Sequence, residues 1–316
     1  MNRNIWQITL CAACVCAGAF SGRAASLKRA DVIANPAWLL HLDCDSLGTG
    51  AIGQYIKSEI AKPETSDKLA AFQTIFGFDL RTQLHGITLY GGDGVPEAGV
   101  MILYADFDSN RLVTLAKGAD DYKSSTHNQH PISNWLDKDK AKAKGGKPRV
   151  YAAIQGNRVI FGQREGPVAK ALDVIDGTAP NMASGNAFPL LGLPASGHFI
   201  EAAASKTDLL DSDKDSAIWK LSQSIQLVLG EPQQNLQGSV TLVTDSPDVA
   251  VPLTAIVNGV AALMKLDKAN PDSVAIGKAL TVTQNGPQVT ASLTLPADRA
   301  VEMMKAGAAR KAAQKK

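Results

Sequence analysis

Apolar positions along the chain fall into short alternating runs and longer helical ones, and the second half repeats the first in the same order. Gly86 to Asp93 is an apolar run ending in Gly and an acid, and so is Ser224 to Glu231, 138 residues on. Gly99 to Asp106 is a β-type run closed by Asp ahead of a helical pattern, matched 139 residues later by Gly238 to Asp245. Tyr151 to Phe161 folds about Gln155-Gly156-Asn157, and Thr281 to Leu293 about Gln284-Asn285-Gly286, with the offset reduced to 129. A modest insertion in the first copy accounts for the drift. Repeats at such a spacing point to a duplicated architecture. Each copy reads strand, helix, two strands, helix, two strands, helix. Hairpin connections favour antiparallel pairing. The expected fold is therefore α+β: two similar copies, largely antiparallel sheets with helices packed on one face.

Within this frame Trp38 to Cys44 reads as a strand, with Leu40, Leu42 and Cys44 on one face and His41, Asp43 and Asp45 on the other. Ile52, Tyr55, Ile56 and Ile60 mark one amphipathic helix, and Leu69, Phe72, Ile75 and Phe76 a second, with Pro63 at the break. The polar stretch 122–147, Lys-rich toward its end, reads as an exposed insertion in a first α+β unit spanning 25–176. A Gly-, Pro-, Asn- and Ser-rich segment, 177–195, is the expected linker to a second unit, 196–305. The run Val249 to Met264 carries no charge but is only sixteen residues long and contains Pro252 and Gly259. Against the roughly 20 apolar residues of a membrane span, it reads as a buried helix, and no transmembrane segment is expected in the mature chain.

The N-terminus adds a compartment. Arg3 precedes an uncharged, mostly apolar stretch from Ile8 to Phe20 and then small residues, the pattern of a secretory signal over 1–24, cleaved after Ala24. The expected location is periplasmic or extracellular. Cleavage removes Cys11, Cys14 and Cys16 and leaves Cys44 alone, so stability is expected from core burial and not from an internal disulfide. The balance of 32 cations against 30 anions offers no field for nucleic acid. The tail 306–316 is the exception: with Lys305, it brings Arg310, Lys311, Lys315 and Lys316 together without an acid, the charge pattern that contacts anionic lipid or wall polymer.

His41, Asp43 and Asp45 are the sharpest candidate for chemistry, because alternation aims an imidazole and two carboxylates to one side, the ligand types a divalent metal accepts. Side chains two apart on a strand sit nearly two rises of about 3.3 Å apart, which opposes a shared ion. Asp106 to Asn110 and Asp211 to Asp215 resemble the opening of a calcium loop but lack Gly at the sixth position and Glu at the twelfth, so they read as helix-capping acids. His127 and His130 lie three apart in a polar context, and His85 and His198 flank strands singly. No nucleophile elbow, phosphate loop or zinc-protease signature is present, and no catalytic or cofactor-binding residue is assigned. The leading expectation is a non-enzymatic binding or interaction platform for a protein or small molecule. The alternatives are a metal-dependent hydrolase using His41, Asp43 and Asp45, and envelope tethering through the basic tail.

The phrase Phe76-Gly77-Phe78-Asp79-Leu80, followed by Leu84-His85-Gly86-Ile87-Thr88-Leu89-Tyr90-Gly91, resembles a pattern found in uncharacterised exported bacterial proteins. The resemblance implies export and a recurring fold, and it carries no assigned activity.

Overall fold

The computed structural model describes residues 26–92, 95–138, 147–193, 197–205 and 221–313. The segment 1–24 expected as a signal, the acidic run 211–215 and the tail residues Lys315 and Lys316 lie outside the described residues. In chain order the first half gives β1 (Trp38–Asp43), α1 (Cys44–Leu47), α2 (Ala51–Ile60), α3 (Pro63–Phe76), β2 (Leu84–Gly91), β3 (Val100–Ala105) and α4 (Ser109–Lys117). It continues with β4 (Lys123–His127), β5 (His130–Leu136), β6 (Arg149–Gln155), β7 (Arg158–Gly162) and α5 (Glu165–Ile175). The second half gives β8 (His198–Ser205), β9 (Ser224–Gly230), β10 (Asn235–Val243) and α6 (Pro247–Leu266). After these come α7 (Pro271–Ala279), β11 (Leu280–Asn285), β12 (Gln288–Pro296) and α8 (Ala297–Ala313).

The strands form one antiparallel sheet of twelve, in the order β11-β12-β10-β9-β8-β1-β2-β3-β7-β6-β5-β4. The seam between the halves is the pair β1 and β8, in register from Trp38 opposite Ala204 to Leu42 opposite Ile200. Alternation then sorts side chains onto two faces. On one face Leu42, Ile87 and Phe199 pack with Ile52 and Ala300 from the helices and with Phe78 just beyond α3. On the other, Leu39, Tyr90, Ile102, Tyr104 and Ile160 pack with Val168, Ala171 and Leu172 of α5. Helices therefore do not keep to one face: α5 lies opposite the rest because Val168, Ala171, Leu172 and Val174 fall on one side of it and meet the apolar face of β3 and β7.

The second face is completed by two irregular segments. The N-terminal stretch contributes Leu27, Val32 and Ile33, and the stretch expected as a linker contributes Met182, Phe188 and Leu191, all buried. Arg29 fastens them together, its guanidinium donating to the carbonyls of Met182, Ala187, Phe188 and Leu191 at 2.8–3.1 Å. The fork of five donors on a planar group suits such a cluster of carbonyls. Residues 182–191 thus form a strap laid across the sheet.

Two further expectations change. Part of the polar stretch 122–147 is the hairpin β4–β5, which extends the sheet beyond β6; Asn128 takes the left-handed conformation its turn requires. Helix α6 is not buried, since only Ala250, Leu253 and Ala261 are enclosed. By length and composition it is apolar enough to cross a bilayer. Cys44 is fully buried.

Candidate functional site

At one end of the seam the strap stands off the sheet and leaves a groove of about 530 Å³. Its floor is the ends of β8, β9, β10 and β12, through Ser205, Ser224, Gln226, Val243 and Gln288. Its walls are Asn35 to Ala37 ahead of β1 and Asn186 to Pro189 of the strap. Backbone pairing fixes the frame: Ala37 donates its N–H to the Gly91 carbonyl at 2.7 Å and accepts from the Ser205 N–H at 2.7 Å. The strap is held down by Gln226, whose side-chain oxygen accepts the Leu190 N–H at 3.1 Å. Phe188, with a φ of 47°, takes a left-handed conformation at the rim. Such a conformation costs about 1–3 kcal/mol and persists where surroundings over-determine it. Here the buried ring and the Arg29 bond to the Phe188 carbonyl supply that constraint.

The lining has a simple chemistry. Asn35, Asn186, Ser205, Ser224, Gln226 and Gln288 offer amide and hydroxyl groups, and no acid, base or histidine is among the lining residues. Deeper under the sheet the same face carries a charged network. Tyr104 donates to Asp31 at 3.0 Å, and Arg158 grips the same carboxylate at 2.7 and 3.1 Å. Burial, first, and the Asp31 charge raise the Tyr104 hydroxyl far above its ordinary range. Glu201, also raised by burial, accepts the N–H of Gly192, the residue after the strap.

His41, Asp43 and Asp45 are not brought to one open face. Asp43 ends β1 by capping α1, accepting from the Ser46 N–H and the Ser46 hydroxyl, each at 2.8 Å. That cap turns Asp45 out of the strand alternation. His41 is fully buried, with Nδ1 2.9 Å from the Thr88 hydroxyl. Among the described residues no group of three His, Cys, Asp or Glu side chains is placed to hold a metal ion. Asp108 caps α4 through the N–H groups of Asn110 and Arg111, which accounts for the acids that open a calcium-like run there.

Asp45 instead meets His85, whose Nδ1 lies 3.1 Å from one of its oxygens, while Nε2 of the same ring lies 3.1 Å from Asp106. Burial raises the Asp45 carboxyl to about 6, against the lowering influence of His85. Burial alone would depress His85, but its bonds to Asp45 and Asp106 outweigh that and raise it. The cluster therefore holds a proton tightly between α1, β2 and the end of β3. His127 and His130 likewise find acids, Asp173 and Asp176, each at 2.7 Å, so two histidines three apart on the hairpin meet two aspartates three apart at the end of α5.

Sequence reading missed the groove and the role of His85. The groove had one signal: hydroxyl and amide residues alternate with apolar ones in β9, β10 and β12, as in Ser224 and Gln226 or Ser239 and Thr241. His85 had none, because its acids lie 40 and 21 residues away.

Fold and groove together define an α+β protein with a single open sheet and a neutral, polar cleft at its seam. No family model matches the chain. No curated protein matches it either. Among solved structures, it is similar to three crystal forms of TP0453. Form III is 11% identical, with a TM-score of 0.48 over 90% of this chain and 99% of that one. Form I is 9% identical, with a TM-score of 0.46 over 89% and 98%. Form IV is 9% identical, with a TM-score of 0.48 over 89% and 97%. Likeness at this level carries no argument about the site.

Proposed function

We propose that the chain is a non-enzymatic binding protein of the cell envelope, exported to the periplasm or beyond, that holds an uncharged, hydroxyl-rich ligand of the sugar type in the groove beneath the strap. The observation that carries this reading is the lining: amide and hydroxyl side chains on three sides, Ala187 and Pro189 as apolar surface, and no charge. Neutral donors and acceptors recognise a ligand by the hydrogen bonds it can return, and an ionic ligand would lose its hydration there without a counter-charge. Pockets of about 300–1,000 Å³ with few convergent polar groups are the usual binding sites of small molecules. Export is supported by the pattern over 1–24.

Native mass spectrometry of the chain released from exporting cells tests the whole reading. The expected result is a chain beginning at Ala25 with a stoichiometric neutral adduct. In the same preparation, neutral oligosaccharides should raise the melting temperature of the wild type and not of Ser224→Trp, which fills the groove from its floor. A bare protein that no oligosaccharide stabilises would overturn the proposal.

We also infer that the two halves descend from a duplication. Outward from the seam, one half runs β1, β2, β3, β7, β6 and the other β8, β9, β10, β12, β11, so each strand meets a counterpart with the same sequence position in its half. The hairpin β4–β5 extends the first half alone.

A further inference from the structure

Helix α6 breaks the ordinary relation between composition and burial. A helix that is apolar all round is normally enclosed, in a protein core or in a membrane. Between Asp248 and Lys265 this one has no ionisable residue, yet Val251 is 59% exposed, Val260 45%, Leu263 69% and Leu266 71%. At about 100° per residue, these positions spread over roughly half the circumference. The side bearing Ala250, Leu253 and Ala261 rests on Leu242 and Val289 of the sheet, and α7 packs along the C-terminal part of the helix, where Gly277 meets Ala261, Met264 and Lys265. Four of the large apolar side chains exposed on this molecule thus sit on one helix.

The charges beside it say what it meets. Lys265 at the end of α6, Lys268 in the following turn and Lys278 on α7 are exposed and form no ion pair with a described residue. Of the acids beside them, Asp272 on α7 is held by Arg299 and Arg310 of α8, and Asp267, between Lys265 and Lys268, offsets one of the three lysines, which leaves this end of α6 net positive. An apolar half-cylinder with a net positive end complements an acyl layer beneath anionic headgroups. The lysine stems lie along the apolar surface and their ammonium groups reach outward. A folded protein partner would have to supply a deep groove to cover so convex a surface, whereas lipid closes around it without one.

We propose that α6 is a membrane-docking element, lying in the plane of an anionic lipid surface with Val251, Leu263 and Leu266 in the acyl boundary and Lys265, Lys268 and Lys278 at the headgroups. The site lies on the outer part of the second half, on the sheet face opposite the strap, and does not depend on the groove being occupied. It also differs from tethering by the basic tail, since Arg310 is engaged with Asp272 and Lys305 sits over the Tyr55 ring.

The test is flotation of the full chain with vesicles of phosphatidylcholine, with and without phosphatidylglycerol. The wild type should float with the anionic vesicles, and less so as salt rises. Leu263→Asp with Leu266→Asp should weaken the association by about tenfold or more, since two exposed anchors become charged. Lys265→Glu with Lys268→Glu should remove the preference for phosphatidylglycerol. Ile75→Asp, at an apolar residue on α3 that is 52% exposed, should float as the wild type does and controls for general stickiness. All variants change exposed side chains, and circular dichroism checks that they fold. Undiminished flotation of the double Asp variant overturns the proposal. So does a lipid-free dimer, seen by sedimentation, that the same variant dissociates, because the face would then belong to a second copy of this chain.

Discussion

Single residues decide where this molecule stores a proton and where it is pinned. Asp45 and His85 titrate as a coupled pair, and both favour the protonated cluster. A carboxyl raised to about 6 contributes stability that is complete below its unfolded value near 4 and is lost as pH rises through about 6. A histidine raised by its partners contributes stability that is complete below its unfolded value and is lost as pH rises through the folded one. The signs agree, so the melting temperature should fall between pH 5 and pH 8. His85→Gln should flatten that dependence by roughly 2–4 °C, the shift expected for about 1 kcal/mol in a chain of this size. A profile that is unchanged in the variant would exclude the pair as its origin. Arg29 works through geometry. Arg29→Ala leaves four strap carbonyls without their donor, and urea unfolding should show a loss of at least about 2 kcal/mol, only partly restored by Arg29→Lys, which lacks the planar fork.

One carboxylate ties a helix of the first half to a turn of the second. Glu231, in the turn after β9, accepts the N–H groups of Ala51 at 2.6 Å and Ile52 at 3.0 Å, capping α2 from the other half of the chain. A Cβ at Gly50 would lie 2.3 Å from the Glu231 carboxyl carbon. Glu231→Gln should therefore cost about 1 kcal/mol through lost charge at the helix N-terminus. Gly50→Ala should cost at least as much by displacing the cap, and combining the two should add little. A fully additive double variant would show that the two residues act separately. Strands and most helices were legible in the sequence because period-two and helical patterns are local, and β1, α2, α3 and both terminal hairpin strands fall where those patterns place them. The burial of α6 was not, since the same uncharged run describes a helix enclosed by protein and one left on the surface. His41, Asp43 and Asp45 could be named but not arranged, because the cap at Asp43 ends the alternation on which their grouping relied.

On the scale of the whole molecule, the sheet is continuous through its seam. Strand β1 pairs with β2 over Trp38 to Asp43 and with β8 over Trp38 to Leu42, so the boundary between halves is no weaker in hydrogen bonds than a pairing within one. The strap adds a second tie, running from the end of the first half over the core of both. Heating should give one transition, with near- and far-ultraviolet circular dichroism coincident. Two resolved transitions would mean that the seam opens before the halves melt.

The position of β1 sets an order of events. It is the first strand of the chain, yet it stands sixth from one edge of the finished sheet, and its partner β8 begins 160 residues later. Pairings that distant form slowly, because a long loop must close before any contact rewards it. Until then β1 presents a bare row of backbone donors and acceptors with Leu39 and Leu42 beside it, the kind of open edge that invites pairing with another chain. A ribosome or a translocation pore that feeds the chain N-terminus first prolongs that interval, so the middle of this sheet is the part most in need of a chaperone while the rest is still arriving.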